Sequence, residues 1–436
     1  MLALAVPALG ALIAEPLFLL ADSAIVGRLG TTALAGLGLA AAILGAVVYL
    51  FVFLAYGTTA SVARRLGAGD LRAALAQGVD GMWLALGLGL ATAVLLLVAA
   101  PALVGAFGPT PAVAEQSVIY LRASVPGLPA MLLLLAATGV LRGLQDTRTP
   151  LVVYTTGAAV NAVLNLLLVH GLGPFPQLGL AGSGLGTALT QIGMAVAVAV
   201  VVVRGARRHH ASLRPDLAGI LASARSGVPL LVRTLALRAA ILIATWAATD
   251  KGEVSLAAHQ VVVTLWSLLA LALDAIAIAA QTLTGRSLGA GDGAGTRATT
   301  ALMVRWGWWS GAVLGAVLLV VRTWLGPLFV DDPAVWQAMA AALVVAAVGQ
   351  PLCGYVFVLD GVLIGAGDGR YLATTGVIQV LLYAPLAVAV VAFAPSGTVG
   401  LVWAWVSWTG YMLARAVFLG VRARGTAWMV TGAVRT

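Results

Sequence analysis

Leu66-Gly67-Ala68-Gly69-Asp70 recurs unchanged 222 residues later as Leu288-Gly289-Ala290-Gly291-Asp292. The same offset aligns other landmarks along the chain without a gap: Pro7 with Pro229, Phe107 with Phe329, Pro129 with Pro351, and Gly143, Asp146 and Arg148 with Gly365, Asp368 and Arg370. A constant offset over so many positions indicates that one scaffold has been duplicated. Duplication on this scale is common among membrane transport proteins.

The repeated Gly-Ala-Gly-Asp motif superficially resembles a phosphate-binding loop. No lysine follows the glycines, as a Walker motif would require. We therefore expect Gly69 and Gly291 to end one helix in a left-handed conformation. Asp70 and Asp292 are then placed to cap the start of the next helix.

The composition is typical of a membrane protein. Hydrophobic residues make up 61% of the 436 residues and charged residues 9%, against about 25% charged residues in soluble domains. The predicted fold is all-α and polytopic, with twelve transmembrane helices. The apolar segments of spanning length lie near 2–27, 33–63, 77–101, 112–141, 150–170, 179–203, 218–249, 254–284, 298–322, 334–364, 371–394 and 399–421.

Basic residues alternate between the two sides of this pattern. The connections after even-numbered segments hold most of the arginines, whereas the opposite connections hold little beyond Arg28, Lys251 and Arg322. By the positive-inside rule, both termini are expected in the cytoplasm. The expected location of the chain is the plasma (inner) membrane. Since the net charge of +9 is spread over these short loops, we expect no nucleic-acid partner.

The 222-residue offset spans six segments, an even number, so the two halves share one orientation. They are then related by a pseudo-two-fold axis along the membrane normal. We predict an N-terminal six-helix lobe at 1–203, a basic cytoplasmic linker at 204–217 and a C-terminal six-helix lobe at 218–436.

The sequence offers little support for catalysis. The single cysteine, Cys353, excludes an intramolecular disulfide and a multi-cysteine metal site. No His-Glu-x-x-His motif occurs, and the only adjacent acid pair, Asp331-Asp332, precedes Pro333, where helix capping explains it. We therefore expect no enzymatic activity and no cofactor.

Four acids lie well inside apolar segments, and none of them is duplicated. Since an ionisable side chain in a membrane helix costs about 3 kcal/mol on insertion scales, such a residue is by default a functional candidate. Asp22, in Leu19–Gly30, is the leading candidate for a residue that loads and releases a cation. The four acids and the residues opposite them at the 222-residue offset are Asp22 and Ala244, Glu15 and Leu237, Asp274 and Val52, and Asp360 and Thr138.

Each acid also has a structural interpretation. Asp22 could be an end-of-helix acid paired with Arg28, and Glu15 could be tied to a neighbouring polar helix. Asp274 and Asp360 are as well explained by ion pairs as by function. Their candidate partners, Arg233 and Arg238, lie in the seventh segment.

Asn161 and Asn165 are four residues apart and therefore project from one face of a helix. They also lack a counterpart, because Tyr383 and Ala387 stand opposite them. The pair could join neighbouring helices by hydrogen bonds, or it could orient a carboxylate. For His259 a packing role is expected.

The first segment, with Pro7, Glu15-Pro16-Leu17 and Leu20–Gly30, resembles the first helix of the multidrug and toxic compound extrusion (MATE) transporters. Leu256–Gln260, Gln281–Gly285 and Leu359–Asp368 are similar to motifs of the DinF-like branch of that family. The resemblance covers essentially the whole chain.

The resemblance implies a V-shaped antiporter of two six-helix lobes that exchanges protons or sodium ions for organic, often cationic, drugs. In the family, the acid at the position of Asp22 couples the cation, and a proline at the position of Pro7 accompanies bending of the first helix. Asn161 and Asn165 occupy the fifth-helix motif Asn-x-x-x-Asp, and Thr187 of the sixth helix completes the polar network. Because Asn165 replaces the usual aspartate, a cation site with two acids is less favoured here.

These features predict that protonation of Asp22 from outside releases a cationic substrate, and that deprotonation toward the cytoplasm restores the site. A proton is the expected coupling ion, and sodium at Asp22 is the alternative. Glu15, Asp274 and Asp360 are secondary candidates in the cavity. The expected partners are small organic molecules and membrane lipids, and the expected state is a monomer.

The nearest alternative function is a flippase for a lipid or lipid-linked precursor. Such a protein would need several cationic side chains in its cavity to contact phosphate. Arg233 and Arg238 are the only obvious candidates, and both lie in one segment.

Overall fold

The computed structural model describes residues 2–434, which form helices, turns and loops with no strand. Met1, Arg435 and Thr436, at the outer ends of the two predicted lobes, lie outside the described residues. The helices are α1 Leu2–Gly27, α2 Thr31–Leu50, α3 Phe53–Gly67, α4 Leu71–Gly105, α5 Pro111–Ser124, α6 Leu128–Gly143, α7 Arg148–His170, α8 Leu180–Arg208, α9 Leu217–Thr249, α10 Glu253–Gly289, α11 Gly293–Val321, α12 Gly326–Phe329, α13 Pro333–Val348, α14 Gln350–Gly365, α15 Gly369–Phe393 and α16 Thr398–Arg424.

Among the described residues, ten spans are long and apolar enough to cross a membrane, and the bent pair α13 and α14 adds an eleventh. Two of the ten, Thr31–Gly67 and Pro111–Gly143, each join two consecutive helices. The twelfth predicted segment corresponds to the 27-residue helix α16, which includes Arg415 and ends with Arg422 and Arg424. The prediction of an all-α, polytopic fold is confirmed.

A duplicated proline breaks the same segment in both halves. Helices α13 and α14 meet at 50°, with Gly349 between them and Pro351 in the first turn of α14. Proline lacks an N–H group and clashes with the preceding turn, so α13 cannot continue through this position unbent. Its counterpart, Pro129, is the second residue of α6, which begins directly after a 3₁₀ turn at Val125–Gly127.

The repeated Gly-Ala-Gly-Asp motif forms helix caps in both halves, as predicted. Gly69 and Gly291 have φ angles of 81° and 77°, in the left-handed region that glycine adopts without strain. The Asp70 carboxylate accepts the Ala73 N–H at 2.8 Å, and Asp292 accepts the Gly295 N–H at 2.7 Å. Asp332 likewise caps α13 by accepting the Ala334 N–H.

The chain divides into two compact units, an N-terminal unit at Leu2–Gly227 and a C-terminal unit that begins at Val228, within α9. The segment predicted as a linker starts as the last turns of α8 and then follows the N-terminal unit. The Trp83 indole donates to the Leu213 carbonyl at 3.1 Å, and the Asp216 N–H donates to the Asp80 carboxylate at 3.2 Å. This segment therefore packs against the unit from which it emerges.

A stripe of glycines brings α11 against α13 and α14 inside the C-terminal unit. Gly307, Gly311 and Gly315 are spaced by four residues and therefore lie on one face of α11. A Cβ atom at Gly307 would lie 2.6 Å from the Gly354 carbonyl oxygen, and one at Gly311 would overlap the Gln350 carbonyl oxygen. Small residues at this spacing allow membrane helices to approach closely.

We expect Gly307→Ala to destabilise the protein by about 1–3 kcal/mol, because the new methyl group must push two backbones apart. Gly87→Ala is the matched control, since a methyl group added at Gly87 in α4 would have no neighbouring atom within 4 Å. The midpoint of thermal unfolding in detergent should fall for Gly307→Ala only. Equal midpoints for both variants would show that the α11 contact tolerates a side chain.

Candidate functional site

Asp22 is enclosed by hydrogen-bond donors from three other helices. Only 1% of the residue is exposed. Its Oδ1 atom accepts from Asn165 Nδ2 on α7 at 2.9 Å and from the Ser183 hydroxyl on α8. Its Oδ2 atom accepts from the Tyr120 hydroxyl on α5 at 3.3 Å. Donors that converge on a carboxylate stabilise its charged form, so the site offsets the cost of burying this charge.

The two asparagines of α7 extend this network. Asn165 Nδ2 also lies 3.1 Å from Asn161 Oδ1, and both residues are fully buried. Thr187 of α8 joins through Tyr120, since the two hydroxyl oxygens are 3.5 Å apart. The structure therefore brings Asp22, Asn161, Asn165 and Thr187 into one connected polar cluster. No contact between Arg28 and Asp22 occurs among the described residues, and Arg28 is exposed.

Glycines in α8 make room for this cluster. A Cβ atom at Gly182 would lie 2.6 Å from the carbonyl carbon of Leu168, in the last turns of α7. A Cβ atom at Gly186 would overlap the Asn165 side-chain oxygen. Because both positions lack a side chain, α8 approaches α7 closely enough for Ser183 to contact Asp22.

A cavity of about 130 Å³ opens beside the cluster, entirely within the N-terminal unit. Tyr120 and Thr187 line it, whereas Asp22 does not. Tyr120 therefore connects the two, because it lines the cavity and its hydroxyl donates to the carboxylate. The other lining residues are Ala14, Glu15, Phe18, Leu19, Ala41, Leu44, Gly45, Val48, Met131, Leu134, Leu135, Tyr154, Gln191 and Met194.

Glu15 lies nearly two turns before Asp22 on α1, and its side chain is accessible. It borders the cavity together with Tyr154 of α7 and Gln191 of α8. Pro7 and Pro16 both lie inside α1, which remains helical from Leu2 to Gly27. A role for Pro7 in helix bending stays a prediction.

The two remaining predicted acids lie in the C-terminal unit and are not part of this cluster. Asp360 of α14 forms ion pairs with Arg233 of α9, through two of its guanidinium nitrogens, and with Arg415 of α16 at 3.1 Å. Asp274 is half-buried in the middle of α10. From the sequence, Asp360 is expected either to form an ion pair with an arginine such as Arg233 or to have a function in the cavity, and the structure shows this ion pair.

The C-terminal counterpart of the cluster is filled by aromatic rings. At the 222-residue offset, Ala244 replaces Asp22, Tyr383 replaces Asn161 and Trp405 replaces Ser183. Tyr383 and Trp405 are 1% and 3% exposed, so these rings occupy the space that the polar side chains take in the first half. His259 packs on Trp405 with ring centres 5.7 Å apart, which agrees with the expected packing role.

Sequence reasoning missed Tyr120, Ser183 and Arg415. A signal for the first two was present in the repeat. Tyr120 stands opposite Ala342 and Ser183 opposite Trp405, so both are polar in one half only. Testing every polar residue of the apolar segments against its counterpart, instead of acids and asparagines alone, would have found them.

Three comparisons with known proteins agree with this architecture. The family described as MatE matches residues 7–167 and 229–389, two blocks that start 222 residues apart. Protein DETOXIFICATION 44, chloroplastic, of Arabidopsis thaliana is 30% identical over 98% of this chain and 81% of its own length. Probable multidrug resistance protein NorM of Pseudomonas putida is 29% identical over 88% of this chain and 84% of its own.

The crystal structure of a MATE transporter from Vibrio cholerae in a bent form superposes with a TM-score of 0.86. The alignment covers 97% of this chain and 95% of that chain, at 21% sequence identity. This likeness shows a shared fold.

Proposed function

This chain belongs to the MatE family of multi-pass membrane transporters, and we propose that it is a proton-coupled antiporter that exports organic, often cationic, compounds by alternating access. The observation that supports this function best is the enclosed Asp22 carboxylate beside a cavity. A buried acid that gains and loses a proton changes the charge inside the unit, and this can alter which helix arrangement is more stable.

The donors around Asp22 favour a proton over sodium as the coupling ion. Sodium prefers several oxygen ligands with free lone pairs. Here the carboxylate faces two hydroxyl hydrogens and one amide N–H group, which would have to turn away before a metal ion could bind. A proton needs only one oxygen of the carboxylate. Asn165, in place of a second acid, also lowers the negative charge available to a cation.

We propose further that the chain resides in the plasma membrane as a monomer with both termini in the cytoplasm. The distribution of arginines over alternate connections supports this orientation. A lipid flippase has less support, because the described residues that line the N-terminal cavity include no arginine or lysine to contact a phosphate.

Transport of the aromatic monocation 1-methyl-4-phenylpyridinium into liposomes tests the proposal. We expect accumulation above the level of empty liposomes when a proton gradient is imposed alone. With pH equal on both sides, a sodium gradient should drive none. Accumulation with sodium alone would replace the proton by sodium as coupling ion. No accumulation with either gradient would contradict the antiporter function.

A further inference from the structure

The wall of the N-terminal cavity carries one charged side chain among its described residues, the carboxylate of Glu15. The neutral polar groups on the wall are the hydroxyls of Tyr120, Tyr154 and Thr187 and the amide of Gln191. The rest of the lining is apolar. The only formal charge that this wall can present to a ligand is therefore negative.

The Glu15 carboxylate also lacks a protein partner. No Lys, Arg or His side chain among the described residues lies within 4.0 Å of it, and no described residue donates a hydrogen bond to it. Asp22, by contrast, accepts from three donors, and Asp360 lies between two guanidinium groups. An unpaired carboxylate in an apolar setting is costly, and a bound cation relieves that cost.

The surroundings of Glu15 suit a flat organic cation. Phe18 lies one turn further along α1 and lines the same cavity with Tyr154 and the thioethers of Met131 and Met194. Aromatic faces attract cations, and methionine adapts its shape to the ligand. With about 130 Å³, the cavity is close in size to a cavity of about 150 Å³ that takes up one aromatic ring.

Glu15 and Asp22 occupy different positions relative to this cavity. Glu15 is on the wall, whereas Asp22 is 1% exposed, does not line the cavity and accepts a hydrogen bond from Tyr120. A substrate that contacts Glu15 therefore does not need to displace the donors of Asp22. Tyr120 touches both places, because it lines the cavity and hydrogen-bonds to Asp22.

We propose that Glu15 is the specificity-determining residue of this transporter and holds the positive charge of a small, flat, aromatic monocation in the N-terminal cavity, separately from the coupling acid Asp22. This inference rests on the proposed function. Substrate charge and coupling proton then use two carboxylates of one helix, and Tyr120 connects the two sites.

The test compares two ligands that differ in one fixed charge, 1-methyl-4-phenylpyridinium and the neutral 4-phenylpyridine, on purified full-length protein at pH 7.5. Wild-type protein should bind the cation more tightly than the neutral ligand. Glu15→Gln should weaken binding of the cation about tenfold or more and remove this preference, because a charge pair in an apolar site is lost. Glu15→Asp keeps the charge and should retain the preference.

Glu115→Gln is the matched control. Glu115 lies on α5 of the same unit, is exposed and does not line the cavity, so this variant should bind both ligands like wild type. A second measurement needs no substitution. Treatment of wild-type protein with dicyclohexylcarbodiimide should label Glu15, as mapped by mass spectrometry, and the cation should protect it where the neutral ligand does not.

Equal cation affinity in wild type and Glu15→Gln would overturn the assignment of Glu15, and so would labelling of Glu15 that the cation leaves unchanged. Either result with intact gradient-driven transport would leave the antiporter function standing. If wild-type protein transports no cation under any gradient, the proposed function fails as well. Should Glu15→Gln fail to fold, the labelling measurement decides.

Discussion

We expect Asp22→Asn to fold normally and to export no substrate above the level of empty liposomes. Asparagine has nearly the same shape as aspartate but cannot exchange a proton near neutral pH. Its oxygen can still accept from Ser183 and Asn165, and its amide can donate to the Tyr120 hydroxyl, which is able to accept instead. Since the hydrogen bonds can be rebuilt, the free energy of unfolding should change by no more than about 1–2 kcal/mol.

Export driven by a proton gradient and the midpoint of thermal unfolding are both needed to interpret this variant. Asp331→Asn is a suitable control. Asp331 is exposed in the loop before α13, so this variant makes the same aspartate-to-asparagine change away from the cluster. It should export like wild type. A folded Asp22→Asn protein that exports at the wild-type rate would remove Asp22 from the coupling mechanism.

A binding defect and a coupling defect can be separated by comparing the variants of the two acids on α1. In wild-type protein, adding substrate should cause protons to cross the membrane. In Asp22→Asn, this substrate-induced proton movement should be absent at every substrate concentration. In Glu15→Gln, substrate-induced proton movement should be reduced at low cation concentration and should return once the concentration is high enough to fill the weakened site. Identical behaviour of both variants would mean that the two carboxylates act as one site.

The repeat explains why the fold could be predicted from the sequence. Each half must bury the same apolar faces, so the glycines and prolines that permit close approach or break a helix recur at one offset, as Pro129 and Pro351 do. Hydropathy then locates the spans, because a segment in lipid must satisfy its own backbone. It gives twelve segments, of which ten, or eleven with the bent pair α13 and α14, are long and apolar enough to cross a membrane among the described residues. The break between α13 and α14 follows from Pro351, whereas the break between α2 and α3, at Phe51-Val52, has no glycine or proline to predict it.

Which residues form the site was harder to predict from the sequence, because that depends on how the helices pack. Periodicity places Asn161 and Asn165 on one face of α7, but it does not say which helix they face. Tyr120 reaches Asp22 from α5, which packs on α2 and α8. Ser183 reaches it from α8, which Gly182 and Gly186 allow to lie close to α7. These contacts depend on how the helices pack in three dimensions. The periodicity of apolar residues shows which face of a helix is buried, but not which helix it contacts.

The asymmetry between the halves has a physical consequence for transport. The first half holds a buried acid with three donors, and the second half fills the equivalent volume with Tyr383 and Trp405. No acid stands at the position equivalent to Asp22, where the second half has Ala244. If protonation of Asp22 drives the cycle, the C-terminal unit takes part in it without a second copy of this acid.

Asp360 provides the test of whether the C-terminal unit contributes an acid of its own. Asp360→Asn should destabilise the protein by about 3–5 kcal/mol, because two buried guanidinium groups lose the carboxylate between them. The side chains of Asp360 and Arg415 are each 7% exposed and that of Arg233 is 14% exposed, so water compensates for the lost charge only in part. The measurement is the midpoint of thermal unfolding in detergent.

Asp368→Asn is the matched control for this prediction, since Asp368 pairs with Arg422 at 2.7 Å but the arginine side chain is 24% exposed. The Asp368 side chain is 4% exposed, but its partner is open to water. Breaking such a pair costs less than breaking one that is buried on both sides, so the control should lose less stability than Asp360→Asn. Removing Arg415 as well, in Asp360→Asn with Arg415→Leu, should recover part of the loss because one unpaired charge is gone. If Asp360→Asn instead unfolds like wild type and loses transport, Asp360 acts as a second coupling acid and its ion pairs are not what holds these three helices together.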